Sequence, residues 1–107
     1  MTVIYKQRGD SIDYTPATDV AAGDVVVLND LVGIAKLDIK AGELGALAVT
    51  GVFDFPIDIG STLDVGITAY WNVAGKFATD IDTGNKLLGK AIRIDVANNR
   101  ALVRLSQ

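Results

Sequence analysis

Cysteine and histidine are both missing from the sequence. The first absence removes disulfides and thiolate metal sites, so stability has to come from packing or assembly. The second removes the commonest general base, the commonest metal ligand and the one side chain that titrates near neutrality unaided. Aromatic residues are scarce, three Phe, three Tyr and Trp71, which leaves the core to Val, Ile, Leu and Ala. Basic charge is in deficit: ten Lys and Arg stand against thirteen Asp and Glu, a net charge of −3. An acidic chain is a poor nucleic-acid binder unless its cations cluster. No stretch approaches the ~18 apolar residues of a membrane-spanning helix. Met1 to Gly9 is charged and lacks the apolar segment of a signal peptide. The expectation is a soluble protein, made in the cytoplasm, with no membrane or nucleic-acid partner.

What is present is β-forming sequence. Half of the 107 residues are hydrophobic and eleven are glycine, a composition of short strands and tight turns. The stretch from Ala46 to Pro56, Ala-Leu-Ala-Val-Thr-Gly-Val-Phe-Asp-Phe-Pro, reads as a central strand. Phe53 and Phe55 share one of its faces, and Val52 and Asp54 the other. Gly51 falls where the alternation slips, the signature of a bulge or a close backbone approach. Further strands are expected at 25–28, 31–37, 65–73, 76–79, 87–96 and 100–105. In 87–96, Ala91, Arg93 and Asp95 oppose Ile92, Ile94 and Val96. Residues 58–64 could form one helical turn. Residues 1–14 read as a hairpin turning at Gly9-Asp10 or as an arm that orders on a partner. Ala22-Gly23-Asp24 returns as Ala41-Gly42-Glu43, each before an apolar run, which suggests shared turn chemistry. About eight short strands at this spacing, with little helix, predict a single compact all-β domain over 1–107, a β-barrel or β-sandwich.

Motifs that could carry chemistry fall short. Gly84-Asn85-Lys86-Leu87-Leu88-Gly89-Lys90-Ala91 has phosphate-loop spacing until its last position, where Ala91 replaces the Ser or Thr that holds magnesium. Its surroundings predict a turn into a strand, without the long helix such a loop requires. Asp80-Ile81-Asp82-Thr83-Gly84 opens like a calcium loop, but no acidic residue follows before Asp95 to close it. Asp54 and Asp58 flank Pro56 without a visible means of separating their pKa values. No catalytic residue, cofactor or metal is assigned. Tyr70-Trp71 points two rings to opposite faces of a strand, one for the core and one for the surface, where such rings favour interfaces. Lys90, Arg93, Arg100 and Arg104 make the C-terminal part basic. They form either a stripe for acidic neighbours or a solvated face that discourages edge pairing.

Taken in order, several phrases resemble the small tailed-phage capsid cement, or decoration, proteins. They are Tyr5-Lys6-Gln7-Arg8-Gly9-Asp10, Ile12-Asp13-Tyr14-Thr15, Ala22-Gly23-Asp24-Val25-Val26 and Val32-Gly33-Ile34-Ala35. Then come Val49-Thr50-Gly51-Val52-Phe53-Asp54-Phe55-Pro56, Ala69-Tyr70-Trp71-Asn72, Leu88-Gly89-Lys90-Ala91 and Val103-Arg104-Leu105. Two positions depart from the family pattern. Ile57 stands where a lysine often follows the proline, and Asn72 where an aspartate often follows Tyr-Trp. Members are sometimes labelled recombinase-like, a label the failed phosphate loop argues against.

The resemblance implies a non-enzymatic structural protein on the outer surface of a phage head. It would bind the major capsid protein and itself, as a trimer in preference to a dimer, and stabilise the shell. The interface candidates are Tyr5, Lys6, Arg8, Phe53, Tyr70 and Trp71. The competing readings are a binding module of another virion part, such as a fibre domain that meets the host surface, and, more remotely, a nucleotide-dependent recombination protein.

Overall fold

A computed structural model describes residue 3, residues 9–58 and residues 60–107. It contains nine strands: β1 (Ser11–Tyr14), β2 (Val25–Leu28), β3 (Leu31–Ala35), β4 (Gly45–Ala48), β5 (Gly51–Pro56), β6 (Thr68–Asn72), β7 (Phe77–Thr79), β8 (Lys86–Asp95) and β9 (Arg100–Leu105). They form two antiparallel sheets, one of order β1-β4-β3-β2 and one of order β5-β9-β8-β6-β7. The all-β expectation holds. Among the described residues there is no helix; over 58–64, where a helical turn is considered above, Ser61 N–H donates to the Asp58 carbonyl at 3.1 Å, a turn that does not continue into a helix. The expected N-terminal hairpin or arm lies outside the described residues over positions 4–8; its far end is β1, paired with β4 from Ser11↔Ala48 to Tyr14↔Gly45.

The central strand read over Ala46 to Pro56 is two strands. β4 ends at Ala48 in one sheet, and β5 begins at Gly51 in the other. Gly51 is therefore not a bulge. Its φ of 118° lies in a region that side-chain-bearing residues rarely adopt, and it redirects the chain between sheets. This division supplies the ninth strand. The alternation within each half survives, so Phe55 is buried and Asp54 exposed.

The five-stranded sheet curls until its edges touch. Ile57, just past β5, makes an isolated parallel bridge to Ala78 on β7, with no ladder beyond it, so the sheet does not close into a barrel. The other sheet packs over it. Val32 and Ile34 of β3 join Phe55, Trp71, Leu88, Ala101, Val103 and Leu105 in the main core. The opposite side of that second sheet has its own smaller cluster, Ala35, Ile39 and Leu47, flanked by Ile12, Tyr14, Val26 and Leu28. This is the consequence of period-two alternation in a sheet covered on both sides.

Two polar devices join these parts. β4 pairs with β3 at Ile34 and Ala35, leaving the start of β3 without a strand on that side. Gln107 fills the place. Val32 N–H donates to Gln107 Oε1 at 2.6 Å, and Gln107 Nε2 donates to the Val32 carbonyl at 2.7 Å. One carboxamide thus imitates the peptide group of an absent strand and ties the end of β9 to the second sheet. The other device explains the echo between 22–24 and 41–43. Val20 and Ile39 form a bridge with both hydrogen bonds at 2.8 Å. Asp19 Oδ1 accepts from Ala41 N–H and Asp38 Oδ1 from Ala22 N–H, each at 2.8 Å. The two Asp-Val/Ile-x-Ala-Gly-Asp/Glu segments clasp one another reciprocally.

Gly89 sets the β8–β9 distance. At φ 156°, a Cβ there would sit 1.9 Å from the Arg104 carbonyl oxygen, so no side chain fits without parting the strands. Gly89→Ala is expected to cost about 3 kcal/mol of stability, and Gly84→Ala, in open space, about 1 kcal/mol. Urea denaturation followed by Trp71 fluorescence would measure both. In the clasp, Asp19→Ala and Asp38→Ala should each cost about 1 kcal/mol, and together less than their sum, because the bridge they hold is lost once. A double-mutant cycle by the same denaturation measures that coupling.

Candidate functional site

The ladders of the five-stranded sheet determine which side chains stand on its outer surface. Ala101, Val103 and Leu105 of β9 are buried, which puts Arg100, Leu102 and Arg104 on the outside. The register then reads across strands. One row is Val52 on β5, Arg104 on β9, Lys90 on β8 and Thr68 on β6. The next is Asp54, Leu102 and Arg93, and the last Pro56, Arg100 and Asp95. Tyr70, two residues beyond Thr68, lies on this same side and pairs with Leu87.

β8 departs from regular alternation. Ala91 pairs with Val103 and Arg93 with Leu102, so Ile92 is an extra residue in a bulge. The expected grouping of Ala91 with Arg93 and of Ile92 with Ile94 is thereby corrected. Ala91 and the half-buried Ile94 face inward, whereas Ile92 and Arg93 are both exposed. Ile92 is 44% exposed and borders a shallow depression with Val65, at 60%, and Val96, at 77%. The bulge thus places an apolar patch beside the basic rows.

The cations differ in their partners. Arg100 Nε pairs with Asp54 Oδ1 at 3.0 Å, and its Nη2 donates to the Asp54 carbonyl at 2.9 Å. Lys86 pairs with Asp30 at 3.3 Å. Lys90 Nζ donates to Thr68 Oγ1. Among the described residues no carboxylate lies within ion-pair distance of Lys90, Arg93 or Arg104. The Asp95 carboxyl is held below its ordinary value, first by the side-chain hydrogen bond from Asn98, then by the Asn98 backbone N–H. It braces the turn between β8 and β9.

The sequence-based interface candidates among the described residues, Phe53, Tyr70 and Trp71, do not share one surface. Tyr5, Lys6 and Arg8 lie outside the described residues. Phe53 faces inward, half-buried at the mouth of a groove between β5 and β2 that Val25, Val27 and Arg100 also line. Trp71 is 6% exposed and packs against Phe55, with ring centroids 5.7 Å apart and planes tilted by 58°. Of the Tyr70-Trp71 pair, Tyr70 alone offers surface. Residues that sequence reading did not single out, Val52, Val65, Leu87, Ile92 and Val96, supply the apolar part of the outer side. Val52 was placeable from alternation; Ile92 was not, because nothing in Lys-Ala-Ile-Arg announces a bulge.

The motifs weighed for chemistry are also placed. Asp82 accepts from Asn85 N–H in a turn, and Lys86 begins β8. The backbone of the near-miss phosphate loop therefore serves a sheet ladder and cannot cradle phosphate. Asp80 accepts from Thr62 Oγ1 at 2.5 Å, and Asp54 is engaged by Arg100. Among the described residues no three carboxylates gather as a cation site.

Trp71→Ala is expected to cost about 4 kcal/mol through the cavity it leaves. Tyr70→Ala should change stability by less than about 1 kcal/mol. Thermal unfolding followed by circular dichroism, which does not depend on the tryptophan, separates the two.

No curated protein and no solved structure matches the chain. A family model described as phage cement protein matches residues 6–106, nearly the whole length, in agreement with the β architecture. On that match the chain belongs to the phage cement proteins, structural proteins associated with the phage capsid.

Proposed function

We propose that this protein binds the outer surface of an assembled phage head and stabilises the shell by bridging neighbouring copies of the major capsid protein. The family match over residues 6–106 carries the reading. The fold supports it in physical terms. Among the described residues, nine strands locked by ladders, a core without a charged residue and a reciprocal clasp suit a body that has to hold its shape. The role asks for no reaction, cofactor or metal.

The protein acts as a homotrimer made in the host cytoplasm and added to finished heads; a dimer at two-fold positions is the alternative. Linked contacts multiply, so an oligomer whose single contacts are weak can gain about 10²–10⁴ in avidity. Tyr5, Lys6 and Arg8 of the N-terminal segment, the ring of Tyr70 on the outer side and the half-buried ring of Phe53 at the mouth of its groove contribute to these contacts. Trp71 contributes from beneath, by holding β6 against the core.

Purified protein should co-sediment with expanded heads in a saturable ratio and raise the temperature at which they release their DNA. Folded protein that fails to sediment with expanded heads would reject the reading. Sedimentation equilibrium of the free protein distinguishes trimer from dimer.

A further inference from the structure

The register of the five-stranded sheet gathers cations on its outer side without an ion pair among the described residues, although the Arg93 charge bears weakly on Asp95. Arg104 and Lys90 are direct cross-strand partners, a position in which like charges are destabilising. Thr68 draws the Lys90 ammonium to the far side of β8 through its hydroxyl, which eases the repulsion without neutralising it. Arg93 stands in the adjoining row. Three cations with no ion-pair partner among the described residues thus share one surface of a protein whose net charge is −3. Five of the ten basic residues of the sequence, these three with Lys86 and Arg100, lie on β8 and β9.

Beside the cations lie the apolar side chains that a stable contact needs. Val52 is half-exposed next to Arg104, and Ile92, Val65 and Val96 surround the bulge next to Arg93. Exposed apolar residues bordered by arginine have the make-up of a protein interface. Loop acids dominate elsewhere: Asp19, Asp24, Asp30, Asp38 and Glu43 all belong to turns around the other sheet and are exposed.

We propose that the outer side of the β5-β9-β8-β6 strands, centred on Lys90, Arg93 and Arg104 with Ile92 at its apolar margin, is the surface that docks on the head. Its partner there is an acidic patch of the capsid protein that supplies carboxylates to these three cations. The assignment rests on the capsid-binding function proposed above. A second copy meeting this surface across a two-fold axis is disfavoured, because Lys90 and Arg104 would confront their own equivalents. Nucleic acid is disfavoured by the small number of cations and the acidic remainder of the molecule. Burying the cations on the head requires compensation by opposite charge, which makes the contact selective for an acidic surface and sensitive to salt.

The test compares two double charge reversals of equal net charge. Lys90→Glu with Arg104→Glu alters the proposed surface. Lys36→Glu with Lys40→Glu alters exposed positions beside the other sheet. Binding to expanded heads is measured by co-sedimentation, from about 0.05 M to about 0.5 M NaCl. The first variant should bind at least about tenfold more weakly than wild type at low salt and lose most of its salt dependence, and the second should stay within about twofold. Lys90→Gln provides a milder change, expected to weaken binding while leaving the thermal midpoint unchanged or raised, since it relieves the repulsion with Arg104. Equal binding by both double variants, with wild type still bound, would overturn the surface assignment alone. Failure of wild type to bind would overturn the functional reading itself. Loss of the oligomer in the first variant would reassign the surface to contacts between copies. Retention of wild type, but not of the first variant, by duplex DNA at physiological salt would reassign it to nucleic acid.

Discussion

The ladder between β8 and β9 is the constraint on which the rest depends. β9 is paired along its whole length on both sides, to β5 from Gly51↔Leu105 to Pro56↔Arg100 and to β8 from Gly89↔Leu105 to Asp95↔Arg100. With a side-chain period of two, its register sends Ala101, Val103 and Leu105 inward and Arg100, Leu102 and Arg104 outward. A slip by one residue would bury two arginines and expose Ala101, Val103 and Leu105. Gly89, where no Cβ fits, and the bulge at Ile92 pin that register at two points. They also decide what the outer surface displays. Without the extra residue, Arg93 would point with Ala91 into the core.

The second sheet depends on this arrangement and completes it. It contributes Val32 and Ile34 to the main core and is held to the end of β9 by the Gln107 carboxamide. Its far side is covered by Ile39 and by the clasp at Asp19 and Asp38. Hydrogen bonds between charged carboxylates and backbone amides are among the stronger ones available at a surface, which suits a loop region with no disulfide to secure it. The sheets are held by pairings between segments distant in sequence. For the capsid-binding role proposed above, a fixed shape matters more than depth of stability, since ordering costs met during folding are not met again on docking.

Much of the fold was legible because short β-strands advertise themselves by alternation and by the turns between them. Val25 to Leu28, the Asn29-Asp30 turn, the Ala74-Gly75 hairpin and the regular face of Arg100 to Leu105 follow from residue type and spacing. The errors share a cause. Ala46 to Pro56 reads as continuous because both halves are apolar, and no local signal says that Leu47 and Phe55 serve different sheets. Ile92 reads as a core residue because a bulge in one strand is defined by the register of its partner. The repeated Ala-Gly-Asp/Glu phrase was visible, but its reciprocal pairing through Asp19 and Asp38 was not, since the two copies lie nineteen positions apart in sequence and meet only when the chain folds.

The basic surface divides in the same way. That Lys90, Arg93, Arg100 and Arg104 crowd the C-terminal part is plain from composition, as is the lack of histidine and cysteine that leaves the chain without common catalytic equipment. The sequence by itself therefore determined the β class, most turns, the apolar inventory and the poverty of chemistry, because these depend on neighbours a few residues apart. Tertiary structure alone decided which sheet each strand joins, which of two adjacent rings is buried and which cations stand side by side without an ion pair among the described residues. Those are properties of pairing between distant segments, where hydrogen-bond register converts one-dimensional order into a surface.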